Sequence, residues 1–422
     1  MIGWLRRWTV IVAVAVLGVI GLQMVRGPGA APAVLAALDP DPYVACPVAE
    51  AGGGFSSRVG VSSQVGGQIS VIGGGTRVVE VPNDGAFFTE VGDMAELGTT
   101  PILVEALGTA AIFSRAGTVA AVSGCMPAAA GSVAVMGMST AEGDASTLVI
   151  TNPFAADAAV RLIGASEFGP DTPAGLEELT VPPATTVEIV LDQSMTGRQS
   201  LSFAVAVDSG LVVAGMKRSG PTDVATSEAV AGGTQWFFPL PDFGFDGEIH
   251  VRSLADVETA FRIDRIQPDG IVEGVMEGSL APQTLSVVPV EEIAGPGSGI
   301  VVSTAEPVAA AIVFAVDDVR AVSPGLTGEA TSWSAPVSAT AGEGQTAAWI
   351  LNTSGQALTA TIQRPGYASI QTVRLPTGMT TGVMVTGAGG GAFEVEADGP
   401  VAVLYGVLST NSIGVTAANP AE

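Results

Sequence analysis

Four times along this chain an apolar run stops at a proline and resumes at once as a second alternating run. Val81-Pro82 lies in RVVEVPNDGAFFTEV, Val181-Pro182 in LTVPPATTVEIVL, Ala281-Pro282 in SLAPQTLSVVPV and Leu375-Pro376 in VRLPTGMTTGVMV. The intervals between these prolines are nearly equal, which unrelated loops have no reason to produce. The chain therefore reads as one module used four times.

Other signals recur in the same order. The modules open at Cys46-Pro47, Cys125-Met126-Pro127, Trp236-Phe237-Phe238-Pro239 and Trp333-Ser334-Ala335-Pro336. A hairpin follows, plainest in STLVITNPFAADAAVRLIGA, where the run ends at Asn152-Pro153 and Val160–Ile163 turns back. Asn352 takes the same place in TAAWILNTSGQALTATIQR, whereas EIHVRSLADVETAFRIDRI has Ser253 and Leu254 there. Asparagine suits the turn because its side chain hydrogen-bonds backbone two residues on and it tolerates left-handed geometry. After the proline pair comes a strand, a tight turn and another strand, turning near Gly108, at Asp208–Gly210, at Glu306-Pro307 and at Asp398–Pro400. Each module ends in a short tail: TVAAVSG, DVATSEA, RAVSPGL and SIGVTAA. The boundaries that result are 46–124, 125–232, 233–330 and 331–422.

The N-terminus indicates the compartment. Arg6 and Arg7 precede the uncharged run Thr9–Val25, which Arg26 closes. As a helix that run spans roughly 26 Å, close to a hydrocarbon core. Residues 1–26 are thus expected to be a signal anchor or transmembrane helix, its basic end cytoplasmic and the rest of the chain outside. Cleavage as a signal peptide is the competing reading, with small residues at Ala31-Pro32-Ala33 and Leu35-Ala36-Ala37. Residues 27–45 form a Pro/Ala-rich spacer.

Composition excludes some partners. A net charge of −25, with Lys217 the sole lysine, argues against nucleic acid and anionic lipid headgroups. With 47 % hydrophobic and 14 % charged residues the chain is too apolar to be disordered. Cys46 and Cys125 are the two cysteines. In an oxidising exterior they are expected to form one structural disulfide, worth roughly 4 kcal/mol in the chain-entropy model.

Six to eight short strands per module, split by Gly, Pro, Asn and Asp turns, make the expected fold all-β. Four tandem immunoglobulin-like β-sandwich modules after an N-terminal transmembrane helix fit the strand count and module length. A β-propeller built from the same four repeats is the alternative. The cysteines bear on that choice. At equivalent positions of successive modules in a straight rod they would lie far beyond the roughly 4.4–6.8 Å a disulfide allows. Either Cys125 still closes the first module, or the modules curl until these segments converge.

The N-terminal membrane segment, the Cys-Pro start and the repeated Asn-Pro-turn, Val-Pro-strand and DGPV elements resemble the uncharacterised actinobacterial domain-of-unknown-function family five-seven-one-nine, over roughly 46–422. The resemblance implies an envelope location and a membrane-anchored repeat protein. It implies no activity and supplies no site residues.

Candidate chemistry is sparse. His250, the only histidine, would have to serve any histidine-dependent mechanism, and its position mid-strand reads as a strand-surface residue with Glu248 and Arg252 on its face. Asp242, Asp246 and Glu248 lack the Asp-x-Asp-x-Asp-Gly spacing of a calcium loop. Gly52–Gly54, Gly73–Gly75 and Gly387–Gly391 lack the Lys-Ser/Thr ending of a phosphate loop and read as turns. Trp236, Phe237, Phe238 and Trp333 form a possible sugar-stacking surface, against which stands a packing role. No catalytic, cofactor or metal residue is nominated.

The expected function is that of a non-enzymatic, membrane-tethered extracytoplasmic scaffold or interaction protein of the cell envelope. Its partners would be an envelope protein or glycan, and the membrane through the N-terminal helix, but not nucleic acid. A carbohydrate-binding envelope protein is the alternative reading, and an envelope hydrolase using paired carboxylates a weaker third.

Overall fold

Runs such as Thr147–Ile150, rich in branched residues and bounded by turn formers, form strands throughout, so the protein is all-β, with a 3-10 turn at Val290–Glu292 among the described residues. The computed structural model describes residues 43–47, 56–63, 67–71, 77–81, 85–90, 102–105, 108–116 and 119–420, apart from 221–222, 269, 317–318, 338–344, 365–369, 386–390 and 410–411. The N-terminal run 1–26, Gly52–Gly54, Gly73–Gly75 and most of Gly387–Gly391 lie outside the described residues. Among the described residues no helix is long and apolar enough to cross a membrane.

One strand order recurs four times. In the second copy the strands are Ser132–Met138, Ala145–Asn152, Ala158–Ser166, Glu178–Val181, Thr185–Val190, Leu201–Ser209, Val213–Ser219 and Val224–Glu228. The fourth, third, sixth and first of these form one antiparallel sheet; the fifth, second, seventh and eighth form the other. The first copy repeats this from Tyr43–Cys46 to Val119–Gly124. In the third and fourth copies the sixth and seventh strands fuse into Gly299–Val316 and Gly391–Ser409, single strands that run from one sheet into the other. Each chain path is long-range, as in Greek keys.

The two sequence signatures of the repeat turn out to touch. Asn152, fully buried at the end of the second strand, donates from Nδ2 to Ala156 O (2.7 Å) and to Val181 O (3.0 Å), while its Oδ1 accepts from Phe154 N (3.0 Å). Asn352 does the same with Gln356 O (2.8 Å), Leu375 O (3.1 Å) and Ser354 N (2.9 Å). Val181 and Leu375 are the residues before Pro182 and Pro376, so one amide ties the hairpin turn to the proline turn. Those proline turns use left-handed backbone at Ala184, Gln283 and Gly378 (φ 50°, 58° and 63°). At Gly378 a Cβ would lie 2.0 Å from Gln267 O, so only glycine fits that approach.

Cys46 and Cys125 are disulfide-bonded, with Cα atoms 4.1 Å apart. Of the two resolutions left open by the sequence, the first holds. Cys125 follows the eighth strand, and Met126–Pro127 pairs back onto Tyr43–Cys46, so it closes the first copy and does not open the second. The reason is edge satisfaction: in every copy a short segment after the eighth strand covers the free edge of the first strand. Val230–Ala231 does so in the second, Leu326 in the third and Asn419–Pro420 in the fourth. At the other end Tyr43–Cys46 begins inside the stretch read as spacer.

The eighth strands Val119–Gly124, Val224–Glu228, Val319–Pro324 and Ser412–Ala417 pack against one another in cyclic order, the last against the first. Gly391–Ser409 of the fourth copy also packs on Ser56–Ser63 and Gly85–Glu90 of the first, closing the circle outside this axis. A continuous core runs through the second to fourth copies and takes in Ala111, Phe113, Ala120 and Val122 of the first. The interior of the first copy is a separate cluster built from Val59, Val61, Ile69, Ile102, Val104 and Ile112 around the disulfide.

Two stability outcomes follow. Cys46→Ser with Cys125→Ser should lower stability by about 4 kcal/mol, because the bond closes a 79-residue separation around a small core; thermal melts should show the loss, and reductant should reproduce it in the wild type only. Asn352→Ala strands the buried Leu375 carbonyl and unties the turn at Gln356, and should cost roughly 2–3 kcal/mol in urea unfolding, whereas Ser253→Ala, which loses one 3.4 Å bond to Ala255 O, should cost under about 1 kcal/mol.

Candidate functional site

The aromatic residues nominated from the sequence are core. Trp236, Phe237, Phe238 and Trp333 are 1 %, 6 %, 0 % and 1 % exposed, so none offers a ring face to a sugar. They lie on the first strands Gly233–Pro239 and Ala330–Val337, whose faces are both covered. Each indole N–H is satisfied internally, Trp236 Nε1 by Gly233 O at 3.3 Å and Trp333 Nε1 by Val401 O at 3.0 Å. The sugar-stacking surface is therefore corrected to packing, driven by the area these rings remove from water.

His250 is also corrected, from strand surface to interior: it is 2 % exposed. Its strand Asp246–Ser253 presents Glu248, His250 and Arg252 on one face by alternation, and the neighbouring copy covers that face. His250 Nε2 lies 3.1 Å from Glu248 Oε2, and the hydrogen bond from His250, opposed by burial, holds the Glu248 carboxyl below the ordinary glutamate range. Arg252, fully buried, donates from Nη2 to Ile163 O of the second copy at 3.0 Å. Burial pushes its pKa down to about 10. Asp242 lies apart from Glu248, its carboxylate beside Gly382 of the fourth copy. Among the described residues no three His, Cys, Asp or Glu side chains converge as a metal site would require.

What the fold does assemble lies on the axis, where sequence reading nominated nothing. Near the end of each eighth strand stands a buried hydroxyl: Ser123, Ser227, Ser323 and Thr416. The first three donate to the carbonyl of the next residue at 3.1–3.4 Å. The residues that follow are Gly124, Glu228, Pro324 and Ala417, so three copies carry a small or apolar group and the second carries a carboxylate. Glu228 Oε2 accepts from Gly124 N at 2.8 Å and Ser123 Oγ at 3.4 Å; Oε1 lies 2.6 Å from Thr416 Oγ1. One side chain of the second copy thus grips the first and the fourth. Burial pushes its pKa above the ordinary glutamate value, against the lowering effect of those hydrogen bonds. The tail DVATSEA was visible in the sequence, and aligning it with the other three tails singles out Glu228; what could not be read was that four tails meet.

A second polar group gathers where Val224–Glu228 begins. Buried Arg218 places Nη2 3.2 Å from Asp144 Oδ1 and 3.5 Å from Asp223 Oδ2. Arg320 of the third copy adds Nη1 3.4 Å from Asp144 Oδ2, and its backbone N–H donates to Asp223 Oδ2 at 2.7 Å. This is a cross-copy ion network with one guanidinium buried between two carboxylates. For Asp144, burial by itself raises the pKa, but the hydrogen bonds from Ser139 and Arg218 and the charges of Arg218 and Arg320 outweigh it, leaving the carboxyl below its ordinary value.

A depressed aspartate stabilises the fold above its unfolded pKa, near 3.9, and loses that contribution as pH falls through the lower folded value. Asp144→Asn should accordingly cost roughly 1–3 kcal/mol at pH 7, measured by thermal melts, with the deficit against wild type shrinking as the pH drops below about 4.

The model of a family of unknown function (DUF5719) matches residues 104–386, well over half of the chain. No curated protein matches it.

Proposed function

We propose, from the premise that this chain belongs to the family of unknown function DUF5719, that it is a non-enzymatic scaffold or interaction protein of the cell envelope, tethered by residues 1–26 with the remainder extracytoplasmic. The observation that carries this reading is the Cys46–Cys125 disulfide at the centre of the first copy's core. Disulfides persist in oxidising compartments, and here the bond sits where the copy's interior depends on it. The apolar run Thr9–Val25 behind Arg6 and Arg7 supplies the tether.

Each copy, with its two four-stranded antiparallel sheets and Greek-key path, is read as an immunoglobulin-like sandwich. Four such modules whose eighth strands meet on an axis make a closed ring, which joins the sandwich reading to the propeller one. A rigid ring suits presentation of surfaces to an envelope partner. The polar side chains the fold gathers, at Glu228 and at Arg218, bind one copy to another, which is what a scaffold requires. The sole histidine pairs with Glu248 of its own strand, and Arg252 on the same face bonds Ile163 O of the second copy.

Protease added to intact cells of the native host should remove the region after residue 39 while a cytoplasmic marker survives, and the chain should fractionate with membranes in the presence of high salt. A chain protected until lysis, or recovered with cytosol, would remove both the tether and the exterior placement. In-cell cross-linking of the protected-surface form then identifies the partner: capture of an envelope protein supports an interaction role, and capture of the chain alone supports a structural one.

A further inference from the structure

We infer that Glu228 is a proton site: the folded protein holds its side chain as a neutral carboxylic acid, and this proton-bearing latch ties the eighth strands of the first, second and fourth copies together on the axis. The inference does not depend on where the protein resides or what it binds.

The geometry supplies the argument. A neutral acid offers one O–H donor and one carbonyl acceptor. The two oxygens of Glu228 meet matching partners. Oε2 faces two donors, the Gly124 backbone N–H at 2.8 Å and the Ser123 hydroxyl at 3.4 Å, and takes the carbonyl role. Oε1 lies 2.6 Å from the Thr416 hydroxyl, which donates to an ionised carboxylate and can equally accept a hydrogen bond from a neutral acid, so the acid's O–H has a partner there. Among the described residues no Lys, Arg or His is a hydrogen-bond or ion-pair partner of Glu228. On the strand before it the register partner is Gly215; the first copy contributes Ser123 and Gly124, and the fourth Thr416. Tyr405, buried on Gly391–Ser409, is a titratable group that feels it: burial and the Glu228 charge drive the Tyr405 pKa well above the ordinary tyrosine value. Tyr405 therefore stays neutral through the pH range in which carboxyl groups titrate. An ionised carboxylate at this place would be a buried charge without a cation, the costliest arrangement a protein interior can hold. Burial raises the Glu228 pKa in agreement with this. The other three copies avoid the question with Gly124, Pro324 and Ala417 at the same place.

The sign of the linkage is opposite to that of Asp144. The unfolded chain releases the Glu228 proton above about pH 4.3, while the folded chain keeps it, so unfolding gains as pH rises until the folded group titrates as well. The latch holds most firmly in acid and loosens as the pH climbs.

The test is urea unfolding of the full chain as wild type, Glu228→Gln and Glu228→Ala between pH 4 and pH 9. Glutamine reproduces the neutral acid, donating to Thr416 and accepting from Gly124, but cannot ionise. Wild type and Glu228→Gln should coincide near pH 4. Above it the wild-type unfolding constant should grow relative to the glutamine variant by up to tenfold per pH unit. Glu228→Ala should be weaker at every pH because the Gly124 N–H loses its partner. A glutamine variant that is less stable than wild type by a pH-independent amount would show an ionised anchor and overturn the inference. Should the variants not fold, infrared spectroscopy of the wild type at pH 7 decides: a protonated-carboxyl stretch supports the latch, and its absence refutes it.

Discussion

Everything in this structure depends on four short strands coming close enough to share one axis. Strands that pack on one another at such a centre favour small side chains, and the eighth strands are rich in Ala, Ser, Thr, Gly and Val: VAAVSG, VATSE, VRAVSP and SIGVTA. The fit is tight. A Cβ on Gly414 would lie 2.8 Å from the Val122 backbone nitrogen, and one on Gly406 would lie 2.1 Å from Gly414 O. At Gly414 this is backbone approach between the first and fourth copies, at Gly406 between two strands of the fourth. Polar groups drawn into that centre cannot reach solvent, so serine and threonine hydroxyls turn onto adjacent carbonyls and a single glutamate spans the gap.

Around that axis the copies share a backbone and differ in chemistry where they touch. The second strands of the third and fourth copies each turn one face to the preceding copy. In the third copy that face carries Glu248, His250 and Arg252, and in the fourth Ala347, Trp349 and Leu351. The first seam is held by the Arg252 bond to Ile163 O. At the second, Trp349 meets Phe243 edge-on with centroids 6.3 Å apart, Leu351 packs against Gly299, and Thr380 donates from its backbone N–H to Gly297 O. Such differences give each copy a preferred neighbour, since a buried guanidinium placed against an apolar seam would lose its hydrogen bond.

The repeat was legible because its punctuation is local. Proline disfavours the continuation of a strand, and asparagine builds a turn from its own side chain, so Pro182, Pro376, Asn152 and Asn352 announce themselves without tertiary information. The disulfide was legible from count and compartment. The aromatic cluster was legible as either packing or a stacking surface: Trp236 and Trp333 mark the first strands, but nothing in a linear pattern says whether a neighbour covers the second face of a sheet. His250 was misplaced for the same reason, since alternation identifies which residues share a face and not what lies against it.

The sequence by itself determined the all-β class, the fourfold repetition and the Cys46–Cys125 pairing, because each rests on short-range backbone preferences or on counting. The closure of the copies on one axis, the burial of the nominated aromatics, and the meeting of Glu228 with Ser123, Gly124 and Thr416 were decided by tertiary structure alone. Those residues stand 105, 104 and 188 positions from Glu228. Contacts of that range leave no periodicity, since packing between copies selects for shape and hydrogen-bond fit at single positions.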